Sequence, residues 1–239
     1  MNILITGIAG FIGFNVARNL VLKKHKIYGI DNLDDYYSVK FKKKKLQNLK
    51  KYKNLYFYKI DLNNKRKLLN FFRNKRINLI IHLAAQAGVR YSFVDPNKYI
   101  SSNYFGFLNL VYCAKHNKVK KIIYASSSSV YGDSKKLPLK ENYNLNTKNI
   151  YSTSKKLNED TAELYSKLSK IKFIGLRFFT IFGEWGRPDM LIFKIFKSFF
   201  SKQTLEINNY GKHYRDFTYI GDVLKILNKL IFKKVKKHE

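Results

Sequence analysis

Short apolar runs rich in Ile, Leu, Tyr and Phe recur along the chain at 2–6, 26–30, 55–58, 79–83, 121–126 and 172–177. Between them apolar residues return at spacings of three and four, which predicts helices over 11–22, 39–50, 65–74, 97–116 and 151–169. Strands alternating with helices of this length imply right-handed crossovers, so the expected class is α/β, a doubly wound parallel sheet. Past residue 177 the alternation loosens. The expected division is therefore a sheet domain over 1–177 and a smaller, incomplete substrate-binding region over 178–239 that can interleave with it. The Phe-rich segment 191–200 carries Lys194 and Lys197 at helical spacing and reads as a buried amphipathic helix.

Composition sharpens this picture only at the edges. A chain of 239 residues with 45% hydrophobic content can bury one good core. Its single cysteine, Cys113, forms no internal disulfide, and the opening residues lack a basic leader; both point to a reducing cytoplasm. No apolar stretch approaches the roughly 20 residues that span a bilayer. A formal charge of +31 would ordinarily suggest a nucleic-acid partner. The excess is mostly Lys scattered beside many Asn, Ile, Phe and Tyr, a composition that AT-rich codons produce, so a solvated surface is expected and no nucleic acid. The densest run, Lys42 to Lys45, reads as the outer face of a helix.

Three sets of residues carry chemistry. Gly7, Gly10 and Gly13 follow the first strand and open the first helix, where backbone amides and the helix dipole can hold a pyrophosphate. Their G-x-x-G-x-x-G spacing is looser than the G-x-G-x-x-G fingerprint. Asp31 ends the second strand, where a carboxylate can accept from both hydroxyls of an adenosine ribose; it would repel a 2′-phosphate, so NAD is expected rather than NADP. The alternative is that Asp31 begins a turn with Asn32. Asp61, followed by Leu62, can reach the adenine or serve as a turn acid. Leu83, Ala84 and Ala85 offer a close approach to the cofactor, and His82 reads as structural.

The third set is Tyr151 and Lys155, four residues apart and hence on one helix face. A phenol titrates near pH ~10, and an adjacent ammonium would lower that toward the range useful for a general base. Upstream, the run Ser126 to Ser129 ends a strand and can supply a hydroxyl to hold a substrate alcohol against the tyrosine. The combination reads as a proton-relay site for alcohol oxidation.

These motifs, in this order, resemble the extended short-chain dehydrogenase/reductase family, Rossmann-like in fold, and within it the nucleotide-sugar 4-epimerases. The segments Gln86-Ala-Gly-Val-Arg-Tyr-Ser92, Asp31-Asn-Leu-Asp-Asp-Tyr-Tyr37 and Trp185-Gly-Arg-Pro-Asp-Met190 resemble the UDP-glucuronate 4-epimerase group. The resemblance implies Tyr151, Lys155 and Ser127 as catalytic residues, with Ser126 and Ser128 as alternatives for the hydroxyl. It implies further NAD contacts at Phe11, Ile12, Asn103 and Phe179, with Lys155 on the nicotinamide ribose. For a UDP-sugar substrate it implies Ser128 and Thr180 near a uronate carboxylate, and Arg90, Arg187 and Arg215 as anion contacts. No metal is implied. A homodimer through the 97–116 and 151–169 helices is expected.

The implied reaction removes the proton from the sugar 4-hydroxyl at Tyr151 while C4 passes hydride to NAD, leaving a 4-ketone that turns over before hydride returns to its other face. Thr180 stands where galactose epimerases usually have Asn, which favours a uronate. Departures are Glu184 in place of a proline, Gly221 at a position commonly acidic, and a chain that stops at Glu239 whereas the family continues well past the 215–220 segment. Truncation to an inactive remnant, or a non-catalytic NAD-binding role, is the competing expectation. A dehydratase would need an acid pair where Ser128 and Ser129 stand, and a decarboxylase commonly carries a glutamate nearby.

Overall fold

The computed structural model describes residues 1–134, 136–212 and 214–239. Six strands, β1 (Asn2–Thr6), β2 (Lys26–Asp31), β3 (Leu55–Lys59), β4 (Leu79–His82), β5 (Lys121–Ser127) and β6 (Lys172–Phe178), form one parallel sheet in the order β3-β2-β1-β4-β5-β6. Helices α1 (Phe11–Leu22), α2 (Val39–Lys50) and α3 (Lys65–Arg73) connect the first four strands. Then come a short α4 (Pro96–Tyr99), a π-helical stretch at Ile100–Phe105 and α5 (Gly106–His116), followed after β5 by α6 (Ile150–Leu168).

Each central strand feeds two cores because successive side chains point to opposite faces. Ile3, Ile5, Ile27, Leu79 and Ile81 meet α1 on one face. Leu4, Tyr28, Ile30 and Ile80 meet α3 and α5 on the other. Strand order reverses between β1 and β4, so the chain leaves these two paired strands toward opposite faces of the sheet and a crevice opens at their carboxyl ends, the usual ligand position in such sheets.

The last sixty residues add β7 (Thr180–Phe182), α7 (Leu191–Ser201), β8 (Phe217–Tyr219) and α8 (Ile220–Phe232), with β7 and β8 paired in a separate parallel sheet. Ile220, Val223, Leu227 and Ile231 of α8 pack into the first core. The segment after α8 runs along β6, where Phe173 N–H donates to Lys237 O at 2.9 Å and Gly175 N–H to Glu239 O at 2.8 Å.

Three helical expectations need correction. The 97–116 pattern is broken into α4, the π stretch and α5, which shifts the angular position of the residues inside it. Lys42 to Lys45 form an outer face only in part: Lys43 and Lys44 are exposed, but Lys42 and Lys45 are 7% and 0% exposed. Their stems turn inward along aromatic rings, with Lys42 Nζ 4.4 Å from the centre of Tyr37 and Lys45 Nζ 4.6 Å from that of Phe41. The Phe-rich segment is a helix, α7, but none of its residues is buried, and Phe199 and Phe200 are 77% and 78% exposed. Phe193 meets Phe41 of α2 with ring centres 6.4 Å apart, while Phe199 and Phe200 lie edge to face, 5.4 Å apart, at the exposed end.

Candidate active site

The turn between β1 and α1 sits at the crevice because Gly7 adopts φ +71°, open to glycine and strained for other residues. A Cβ at Gly7 would come within 2.7 Å of Ala84 N, and one at Gly13 within 2.1 Å of Gly7 O. The loop thus presses against the chain leaving β4, and α1 can follow β1 so closely only without a third side chain. Helix α1 begins at Gly10 with no side-chain cap, which leaves its first amides directed to the crevice.

Asp31, at the end of β2, is 8% exposed. One carboxylate oxygen accepts from Ala9 N–H at 3.0 Å and the other from Leu33 N–H at 2.8 Å. Burial raises its pKa against the opposing pull of those amides and of Lys42 and Lys45. Asn32 donates from Nδ2 to Asp61 at 2.9 Å, so these two form one rim of the cleft, with Leu62 beside them. The opposite wall is Leu83, Ala84, Ala85 and Gln86, and Phe11, Ile12, Phe178 and Phe179 close the cleft from the α1 and β6 sides. The volume enclosed is about 390 Å³.

At the far end of this cleft stand Tyr151, Lys155 and Ser127. Asn149 caps α6 through its side chain on Ser152 N–H at 2.9 Å, which fixes Tyr151 in the first turn and Lys155 one turn later. Ser127 ends β5 and lines the cleft with Tyr151, its Oγ accepting from Ser129 N–H at 3.2 Å and from Ser129 Oγ–H at 2.9 Å. Alternation along β5 sends Ser126 the other way, where its hydroxyl donates to Glu159. Arg177 closes that network, donating to both Glu159 oxygens at 3.0 and 2.8 Å and to Tyr131 at 3.0 Å.

The electrostatics differ from expectation. Lys155 Nζ donates to Ala125 O at 2.9 Å and lies 6.0 Å from the centre of the Tyr151 ring. Burial lowers Lys155 to about 8. The Tyr151 phenol is raised, not lowered, because burial outweighs the opposing influence of the neighbouring Ser127 hydroxyl and the positive charge of Arg187. His82 is fully buried, bonded to Thr6 Oγ1 at 2.8 Å, and pushed down to about 3 by burial and by Lys155. It supports the wall, as its sequence position suggested.

The remaining candidates are dispersed. Arg187 lines the cleft, with Nε 3.0 Å from Asp189 Oδ1 and Nη2 bonded to the other oxygen. Thr180 lines a smaller adjoining cavity of about 200 Å³ that shares Phe11, Arg187 and Met190. Asn103 is fully buried behind the wall: it accepts from Gln86 N–H at 2.7 Å and donates to Gln86 O at 3.1 Å and Ser154 Oγ at 3.0 Å. Ser128 starts the short turn after β5, outside the cleft lining, while Arg90 and Arg215 are exposed. Sequence reasoning did not assign Tyr36, Tyr37 or Lys42 to the lining. Tyr36 and Tyr37 end the Asp31 to Tyr37 segment that carried part of the resemblance, and Lys42 is a charged residue close after Asp31, which were the available signals. Among the described residues no cluster of His, Cys, Asp or Glu could hold a metal, and no helix is long and apolar enough to cross a membrane.

The residues present fit a dinucleotide. A turn with no room for a Cβ at Gly7 or Gly13, uncapped helix amides and a buried carboxylate at the end of β2 line one continuous cleft. Residues 3–239 match the model of the NAD dependent epimerase/dehydratase family. Protein CapI of Staphylococcus aureus is 42% identical over 234 residues, covering 98% of this chain and 70% of that protein. UDP-glucuronate 4-epimerase 2 of Arabidopsis thaliana is 37% identical over 230 residues, with coverages of 94% and 53%. The chain thus spans about half of the plant protein. The crystal structure of UDP-glucuronic acid 4-epimerase from Bacillus cereus, in complex with UDP-glucuronic acid and NAD, superposes with a TM-score of 0.93 at 30% identity, over 99% of this chain and 75% of that one. Motif, cleft and whole-length match agree, and the chain belongs to the NAD dependent epimerase/dehydratase family of Rossmann-like α/β proteins.

Proposed function

We propose that the protein catalyses NAD-dependent 4-epimerisation of a UDP-hexuronate, converting UDP-glucuronate to UDP-galacturonate. The observation that carries this reading is the meeting of Tyr151 and Ser127 at one end of a cleft whose other end is the glycine turn and Asp31. Similarity to proteins named UDP-glucuronate 4-epimerase supports the choice of sugar.

Asp31 would hold the adenosine ribose, the amides at Gly10 to Gly13 the pyrophosphate, and Lys155 the nicotinamide ribose. NAD in that position supplies a two-electron acceptor that returns its electrons within the same turnover. Ser127 Oγ holds the sugar 4-hydroxyl against Tyr151, whose oxygen takes the proton on oxidation and returns it on reduction. Burial holds this phenol protonated in the free protein, so the proton has to leave Tyr151 before it can act as a base. Swinging Lys155 from Ala125 O toward the nicotinamide ribose brings a cation to the phenol in the loaded site and drives that loss.

Incubation of NAD-loaded protein with UDP-glucuronate, followed by proton NMR, tests the assignment. Growth of UDP-galacturonate resonances is the expected result. Binding of NAD with no conversion would replace it with the non-catalytic reading. Exposed Phe105, Leu164 and Leu168 on the α5 and α6 side support assembly as a homodimer, checked by sedimentation equilibrium.

A further inference from the structure

Arg187 occupies the wall between the two cavities, and its surroundings fix how it meets a ligand. Trp185, two residues earlier, adopts φ +62° and is wedged between Phe14 of α1 and Phe41 of α2, with ring centres 5.1 and 5.7 Å away. Asn15 Nδ2 donates to Glu184 O at 2.9 Å, and Gly186 N–H to Gly183 O at 3.2 Å, closing the turn. The backbone that carries Arg187 is therefore anchored to the rigid part of the molecule.

The guanidinium itself is gripped along one edge only. Asp189 accepts from Nε and from Nη2, which uses two of five N–H groups. The Tyr36 ring lies 5.8 Å from Cζ on a flank. Among the described residues nothing accepts from Nη1, and the residue lines the same cleft as Tyr151 and Ser127. A planar fork held by its Nε edge presents its Nη1 and Nη2 edge as a second bidentate donor pair, matched to an oxyanion.

We propose that Asp189 is a positioning residue for the substrate anion: by clamping the inner edge of Arg187 it aims the outer edge into the cleft beside Tyr151. The proposal rests on the nucleotide-sugar reading of this site and names its anion-reading element. Two groups on one substrate share the required chemistry, a uronate carboxylate and a diphosphate. Without its clamp the long side chain would spread over several rotamers, and the donor pair would be ordered only at the moment of binding. The pair is electrically neutral, so it selects by direction of its hydrogen bonds more than by attraction at a distance.

The test is calorimetric binding of UDP, UDP-glucose and UDP-glucuronate to NAD-loaded wild type, Asp189→Asn and Asp189→Glu, together with steady-state kinetics. Asp189→Asn should weaken UDP-glucuronate binding and raise KM about tenfold with kcat changed less than twofold, while NAD retention stays unchanged. Asp189→Glu, which keeps the carboxylate, should recover most of that loss. Equal loss for all three ligands identifies the diphosphate as the anion, and loss confined to UDP-glucuronate identifies the carboxylate; either supports the clamp. Unchanged or tighter binding by Asp189→Asn overturns it, because the carboxylate would then be a bystander or a repulsive neighbour. Binding is read independently of turnover. Absence of epimerisation in the wild type would sink the reaction assignment and leave the clamp to be judged by the calorimetry.

Discussion

Lys155 points its ammonium at the Ala125 carbonyl, 2.9 Å away, while the ring centre of Tyr151, its partner in the motif, lies 6.0 Å from that nitrogen. The two residues share a helix face, yet the ammonium bonds the backbone. The pair is a preassembled scaffold whose electrical coupling depends on what fills the cleft.

Replacing Tyr151 by Phe removes the oxygen and little else. Turnover should fall by about 10² to 10⁴, the range for losing a general acid–base, with NAD affinity within a few-fold of wild type. Single-turnover kinetics and fluorescence titration with NAD check the two halves. A comparable loss of NAD binding would mean the ring serves mainly to build the cleft.

The serines are separable by the same logic. Ser127→Ala should depress kcat and cost about 1 kcal/mol of stability, because its Oγ also caps the turn at Ser129. Ser126→Ala should spare kcat and cost about 1–3 kcal/mol because Glu159 loses a buried hydrogen bond. Denaturant unfolding and NMR turnover on both variants distinguish them. Loss of turnover in Ser126→Ala with stability intact would reassign the hydroxyl.

Gly13→Ala places a methyl 2.1 Å from Gly7 O and 3.0 Å from Ile8 Cα, against the backbone of the turn. Relief requires α1 to shift away from the turn. A stability loss of about 1–3 kcal/mol is expected, with NAD affinity reduced at least tenfold. Urea unfolding and equilibrium dialysis read the two effects; NAD binding at wild-type strength would show that the turn does not hold the pyrophosphate.

His82 supplies a pH signature. Its folded pKa is lowered from 6.5 to about 3, so as pH falls through 6.5 the unfolded chain takes a proton that the folded protein refuses. Stability from the neutral ring is complete above pH 6.5 and declines as pH drops toward 3. Between pH 6 and pH 4, wild type should lose about 1.4 kcal/mol per unit more than His82→Gln. Parallel curves for the two proteins would show that the imidazole protonates freely in the fold.

The sheet was legible because its strands are short apolar runs bracketed by helical periodicity, as in Ile3-Leu4-Ile5 and Ile80-Ile81. The glycine turn and Asp31, which line one cleft, were legible because glycine spacing and an acid at a strand end reflect backbone requirements. Side-chain direction was harder to read. Lys42 and Lys45 are inside since Tyr37 and Phe41 shelter their stems, a relation between a loop and a helix that charge patterning does not encode. Asn103 faces Gln86 because the π stretch rotates it away from an ideal helical position. The Tyr151 phenol defied its motif because burial, invisible to spacing, is the larger influence.

Trp185 is the only tryptophan in the chain, and it sits between Phe14 and Phe41 two residues from Arg187. A single optical probe thus stands where the segment carrying Arg187 is anchored to α1 and α2. Emission excited selectively through the indole reports on that one spot, so ligand arrival can be timed by stopped-flow spectroscopy without attaching a dye.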